Sequence, residues 1–543
     1  MPAYFIWQIC QENQDNKIQE PRKLIMKTNF TYLCISGLTA SLLLFASCNK
    51  KIEDKTNNYP ALQPAQTDLG ASSWKPVLVT NFALFTVAAP DPVTSAAYTA
   101  DLNEIKGLQR NINRSQLAII SYWSAGAVLR WNQILRELVA KHNLPPYQRE
   151  DGTYPAPSAI NPFSYPQFPF SNPPYAARAF AYVSAAQYDA LLAAYYFKTQ
   201  YNRKAPYLND TTIKALIPKS MLPAYPSEDA VVEGAAVEVM KMMFPTEISF
   251  IEQKAGEERL YRMIAGANVR SELDAGELLG KQVADLFTAR AKKDRAGKAI
   301  GTPVYWKSLE TSTIARGETC WISLENPKRP PQLPLFQKTI PFLFDTLAVV
   351  AMRPAPPFST SSVEFKKELD EVLYYSQHST RERERIVSFW ADGAGTATPI
   401  GHWNSIACDE FVKQKWSEVR WARNLALLNM AQMDAAIVCW DAKYFYFNPR
   451  PSQMNPDIKT LTGVPNFPSY TSGHSNFSGS ASTFLTYLLP DRGTKFVDMA
   501  NQAAMSRLYG AIHFRIDCDM GLVTGNKVGA YAIARAKIDG ADL

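Results

Sequence analysis

Lys443-x6-Arg450-Pro451, Ser472-Gly473-His474 and Ser506-Arg507-x5-His513-x3-Asp517 follow one another between residues 443 and 517. The three motifs themselves carry three cations, a glycine-containing turn and two of the chain's five histidines. A tetrahedral oxyanion needs such a set: positive charge to replace its water, backbone N–H groups for its oxygens, and an imidazole on each side. Arg gives planar bidentate contacts and Lys a point charge. Residues 468–473 oppose helix while Ser475 onward favours it, so Ser472-Gly473-His474 is predicted to open a helix. Free N–H groups at a helix start attract anions, aided by the dipole. Gly473 lets the backbone come close to an oxygen, Ser472 can donate its hydroxyl, and His474 stands where a general acid or base is useful. Asn448-Pro449 interrupts the helix bearing Lys443, which puts Arg450 on the loop leaving it. If the third block is helical, His513 and Asp517 share a face. The carboxylate would then fix the imidazole tautomer and leave the other nitrogen as nucleophile or metal ligand.

The surroundings of these blocks are helical in pattern. Apolar residues recur at helical spacing over 115–143, 176–200, 227–243, 248–293, 362–377, 379–390, 404–444, 475–489, 495–510 and 522–537. Sustained alternation bounded by hairpin turns is scarce, and no repeat of solenoid period occurs. The expected fold is all-α, with helices packed as bundles. Two Pro-rich stretches, 145–174 and 327–357, break the pattern. The first is expected to be a structured surface loop, either packing over a bundle or walling the site entrance.

The pattern K-x6-RP, SGH, SR-x5-H-x3-D resembles that of the acid phosphatase and vanadium-dependent haloperoxidase superfamily, which includes the type 2 phosphatidic acid phosphatases. Upstream, 389–393 (FWADG) and 401–404 (GHWN) are similar to a stretch in bacterial haloperoxidase-like proteins. The resemblance implies an all-helical fold of the vanadium haloperoxidase type. It implies an anion pocket of Lys443, Arg450, Ser472, Gly473 and Arg507, with His474 as acid–base and His513 as the residue that holds vanadate or attacks phosphorus. Where family members commonly carry Pro before Ser-Gly-His, this chain has Thr471. Trp440 and Phe467 match positions that line the halide pocket in the chloroperoxidase branch; as plain residues they read equally as core aromatics. The implied activity is halide oxidation by hydrogen peroxide with vanadate as cofactor. The alternative is an acid phosphatase acting on phosphate monoesters through a phosphohistidine, with no cofactor. A further alternative is a non-catalytic anion- or glycan-binding lipoprotein, against which the two histidines count.

The other end of the chain carries an address. Lys27, an apolar run over 30–46 and Ser47-Cys48 make up a secretory signal. It resembles a bacterial lipoprotein signal, in which Cys48 would take the lipid. Residues 1–25 are expected to be a spurious upstream extension, 26–47 the signal and 48–72 a tether. The helical body is expected to divide into 73–345 and 346–543, the latter holding the site. Export and a lipid anchor in a bacterial membrane follow as expectations. No later segment offers the ~18 apolar residues of a membrane helix; 339–352 is interrupted by Asp345.

Composition agrees with a folded enzyme for small anions. The chain has 543 residues, 46% hydrophobic and 20% charged, with net charge +7. No dense basic block interleaved with aromatics points to nucleic acid. The run 290–298 (RAKKDRAGK) reads as a solvated helix end and loop. Seven cysteines occur without C-x-x-C spacing, which argues against a zinc ribbon; pairing and oligomeric state stay open.

Overall fold

The computed structural model describes residues 59–144, 172–326 and 328–542. Among these the secondary structure is helical, with no strand. The fifteen helices of eight or more residues are α1 (Ala96–Gln109), α2 (Arg114–Trp123), α3 (Ala127–His142), α4 (Pro173–Tyr201), α5 (Glu228–Met243), α6 (Ile248–Ile264), α7 (Arg270–Ala291), α8 (Pro303–Ala315), α9 (Val363–Gln377), α10 (Arg381–Phe389), α11 (Thr398–Phe411), α12 (Glu418–Tyr446), α13 (Gly473–Leu488), α14 (Gly493–Tyr509) and α15 (Arg515–Ala536).

The arrangement is a duplication. Helices α4, α5, α6 and α7 begin and end 245 residues before α12, α13, α14 and α15, residue for residue. The two 29-residue helices, α4 and α12, are buried on nearly every face and pack against one another. A helix apolar all round belongs in the centre of a large core. Asn429 of α12 donates from Nδ2 to Ser184 Oγ of α4 at 2.9 Å. These two positions are themselves 245 apart, so the pair sits where the arrays meet.

Each array is built by the same local chemistry. Asn172 and Ser417 cap the long helices, accepting from Tyr175 N and Arg420 N; Ser227 and Ser472 cap the next, accepting from Ala230 N and Ser475 N. Each such cap contributes about 1 kcal/mol. The helix pairs α5–α7 and α13–α15 approach closely. A Cβ on Gly280 would lie 2.3 Å from Val231 O, and one on Gly525 2.3 Å from Asn476 O. The Tyr225–Pro226 and Tyr470–Thr471 peptide bonds are both cis.

Buried ion pairs close each array. Arg178 donates from Nε to Asp294 at 2.7 Å and from Nη2 to Ala291 O at 2.8 Å. Arg423 donates from Nε to Asp539 at 2.8 Å and from Nη2 to Ala536 O at 3.0 Å. The run 290–298 is therefore more than a solvated loop: Asp294 is fully buried as Arg178's counter-ion.

Three helical boundaries differ from the sequence expectation. Gly126, at φ +115°, splits 115–143 into α2 and α3; Gly266, at φ +72°, splits 248–293 into α6 and α7. Lys415, at φ +50°, separates α11 from α12, so 404–444 is two helices. Starts differ as well: α15 begins at Arg515 instead of 522 and α11 at Thr398 instead of 404, and α1 and α8 fall where no helix was expected. Residues 145–171, 1–58 and with them Cys48 lie outside the described residues. Cys320, Cys408, Cys439 and Cys518 are free thiols. Among the described residues no helix is long and apolar enough to cross a membrane.

Removing one carboxylate from a buried ion pair strands its arginine, a loss of ~3–5 kcal/mol. Asp539→Ala and Asp294→Ala are each expected to lower unfolding free energy by about that amount in denaturant titrations. Equal losses are the signature of two equivalent closures.

Candidate active site

A cavity of about 560 Å³ opens at the N-terminal end of α13. Its wall includes Gly473, His474, Arg507, His513, Trp440, Phe467 and Asp392. Ser472 caps α13, so the N–H groups of Gly473 and His474 fall in its first turn, where no intrahelical partner exists. The glycine is not demanded by protein packing. A Cβ there would meet only Phe477, at 3.7 Å, and would project into space that a ligand can use.

His513 lies just before α15, not on it. Asp517, in the first turn of α15, reaches back to accept from Phe514 N at 3.1 Å, and its Oδ2 lies 2.9 Å from His513 Nδ1. The four-residue spacing thus works as a helix cap and not as a shared helical face. Ser469 also donates to Asp517 Oδ2 and stands 3.3 Å from His513 Nδ1. With Nδ1–H given to the carboxylate, Nε2 keeps its lone pair, 3.0 Å from Arg450 Nη1. Burial first, then the charges of Arg450, Lys443 and Arg507, hold His513 well below the ordinary imidazole range. It is neutral, and its Nε2 accepts from Arg450 Nη1, a contact that a ligand or phosphorus atom bonded to Nε2 would replace.

Arg507 and His474 face each other across 3.4 Å, Nη1 to Nε2. Burial and then the Arg507 charge lower His474 to about 4, against the opposing pull of Asp392. Asp392 was not singled out by the sequence reading. It stands at φ +45°, 3.0 Å from His402 Nδ1 and 3.4 Å from His474 Nε2. Burial pushes its carboxyl up, but the contacts with His402 and His474 prevail and hold it well below the usual range. The only signal in the sequence was FWADG beside GHWN, and that was a resemblance without an assigned role.

Lys443, Arg450 and Ser472 are not in the cavity wall. Lys443 Nζ donates to Pro468 O at 2.8 Å and Ser469 O at 2.9 Å, beneath the loop that carries the wall. Arg450 donates to Phe467 O at 3.0 Å and Ile512 O at 2.8 Å, which ties that loop to His513. Ser472 Oγ is used as the cap. Trp440 and Phe467 form a tilted pair, ring centroids 5.1 Å apart, with Lys443 Nζ 4.9 Å from the Phe467 ring.

The donors suit an oxyanion. Arg450 Nη2 and Arg507 Nη2 are buried with no hydrogen-bond partner in the protein. Burial lowers both guanidiniums to about 10 and also lowers the Lys443 ammonium. Fully desolvated cations with unused N–H groups are stabilised by an anion. Phosphate and vanadate have the required shape and charge.

Residues 424–536 match the sequence model of the PAP2 superfamily. A bacterial vanadium-dependent iodoperoxidase has the same fold: TM-score 0.55 and 22% identity, covering 79% of this chain and 98% of its own. A holo-type bacterial vanadium-dependent chloroperoxidase gives TM-score 0.49 and 14% identity, covering 72% of this chain and 96% of its own. No curated protein matches the chain.

Stability should carry the mark of His474. An unfolded imidazole titrates near 6.5, whereas folded His474 titrates at about 4. Between these values only the unfolded chain binds the proton, so stability falls as pH drops from about 7 to 4. His474→Gln in anion-free protein is expected to flatten that part of the stability–pH curve, measured by urea unfolding at each pH.

Proposed function

We propose that the protein is a haloperoxidase-like enzyme that oxidises halide with hydrogen peroxide, using vanadate held by His513. The observation that carries this reading is the Trp440–Phe467 pair in the cavity wall, beside His513 and Arg507. A weakly hydrated halide, or the hypohalous product, suits an aromatic wall next to cationic groups. The fold shared with the iodoperoxidase supports it.

His513 Nε2 would be the vanadium ligand, oriented by Asp517. Arg450, Arg507 and the N–H groups of Gly473 and His474 would hold the oxygens, and Lys443 would add its charge from behind. Bound vanadate supplies Lewis-acid activation of peroxide without a change of oxidation state. His474, neutral above its pKa and backed by Asp392, carries protons between the site and water. Trp440 and Phe467 keep water away from the halide side.

A second reading rests on the superfamily match of 424–536 and on the neutral imidazole of His513 in the cavity wall. In it His513 attacks a phosphate ester and His474 protonates the leaving alcohol, then activates water. The cations stabilise transition-state charge in both readings. Vanadate-loaded protein with peroxide, iodide or bromide and a halogen acceptor is expected to halogenate, with phosphate as inhibitor. Ester hydrolysis by vanadate-free protein, suppressed by vanadate and without halogenation, would establish the phosphatase instead. His513→Ala is expected to abolish vanadate retention with the fold intact by circular dichroism, and Asp517→Ala to weaken it ~10–100-fold.

The sequence around Cys48 supports export and lipid anchoring in a bacterial membrane. Cys48→Ser is expected to move the protein from the membrane fraction to the soluble one; unchanged membrane recovery would refute the anchor.

A further inference from the structure

The duplication gives the oxyanion site a counterpart in the N-terminal array. Lys198 answers to Lys443, Arg262 to Arg507, Asn268 to His513 and Glu272 to Asp517, each 245 residues earlier. The frame is the same in detail. Lys198 Nζ donates to Pro223 O as Lys443 does to Pro468 O. Asn268 Nδ2 donates to Glu272 at 2.9 Å, where His513 Nδ1 lies 2.9 Å from Asp517. Glu272 accepts from Val269 N at 3.1 Å, as Asp517 does from Phe514 N. A cavity of about 280 Å³ lies at this place.

Its chemistry is inverted. Glu228 stands for Gly473, Asp229 for His474 and Ala205 for Arg450. Asp229 spends its charge on Arg262, 3.2 Å away. Glu228 Oε2 is buried without a hydrogen-bond partner, 3.7 Å from Lys198 Nζ. Glu418, only 6% exposed, accepts from Val128 N with one oxygen. Its other oxygen, Oε2, faces Gly126 across the cavity wall, and no cation among the described residues pairs with it. Burial and then the neighbouring Asp229 raise Glu418 to about 8, against the pull of the Val128 N–H and Arg262, so a cation bound beside it would take the place of its proton. Tyr195, Tyr207 and Tyr261 supply aromatic walls. Lys219 already places its ammonium 5.8 Å from the Tyr207 ring, the contact an organic cation would make.

We propose that this second cavity binds a small organic ammonium ion, with Glu418 and Glu228 as counter-ions and the tyrosines as walls. It does not take an oxyanion, so the chain binds one phosphate, not two. The arrangement of acids does not suit a metal: among the described residues no group of three or more His, Cys, Asp or Glu side chains could hold one. The proposal is independent of which reaction the other cavity performs.

Calorimetric titration of the full chain with n-butylammonium, choline, butyrate and inorganic phosphate tests it. Saturable one-site binding of an ammonium probe is expected, with none for butyrate and one phosphate per chain. Glu418→Gln is expected to weaken ammonium binding at least ~10-fold while the single phosphate site persists as proof of folding. Glu228→Gln is the second variant should the first fail to fold. No saturable ammonium binding up to tens of millimolar, affinity unchanged in a folded variant, or two phosphates per chain would each overturn the proposal.

Discussion

The close approach of α13 to α15 is the contact on which the site depends. Gly525 admits the backbone of Asn476, and Ser472 N donates to Asp517 O at 2.9 Å, which pins the start of α13 to the first turn of α15. One helix brings Gly473 and His474, the other brings Asp517 and, just before it, His513. A side chain on Gly525 would push these two apart and break the distances that fix the imidazole. The duplicated contact between Gly280 and Val231 holds the other array in the same way. Helix packing at sub-van-der-Waals tolerance, more than any single polar contact, sets where the chemistry sits.

Desolvation then sets what the site prefers. Lys443, Arg450 and Arg507 are all buried, and each would be more stable neutral or beside an anion. The protein offers them two carboxylates, Asp392 and Asp517, and both are engaged by imidazoles. The balance stays positive, which favours an entering oxyanion over water. The same field keeps both imidazoles neutral. Neutral His513 is what a metal or phosphorus needs; neutral His474 can accept a proton at ordinary pH.

Much of this was legible before the fold. The cations, the capped turn at Ser472 and the paired histidine and aspartate could be read because each role restricts residue type. Helix ends were legible where Ser or Asn capped them. They were missed at Gly126, Gly266 and Lys415, where a left-handed residue breaks a pattern whose apolar spacing runs on undisturbed. The layer of Lys443 and Arg450 was not legible, because spacing says which helix a charge is on and not which carbonyls its tip will find. Asp392 was hidden for a related reason: its partners His402 and His474 come from separate helices.

The duplication itself went unseen because identity between the arrays is confined to positions with a structural duty. Arg178 and Arg423, Lys198 and Lys443, Arg262 and Arg507, Gly280 and Gly525, Asp294 and Asp539 recur; most residues between them have drifted. Such sparse identity carries no local signal, yet it fixes helix length, crossing and closure. Freed from duty, the remaining positions set the charge of each cavity. Exchanging Gly473 for Glu228 and His474 for Asp229 turns an anion cradle acidic without moving a helix, since both positions lie in a first turn whose cap is a serine in either array. A frame that is stabilised by its own ion pairs and glycine contacts can therefore carry two cavities with different linings. Only the one with a glycine at the first helical position leaves its N–H groups open to an anion.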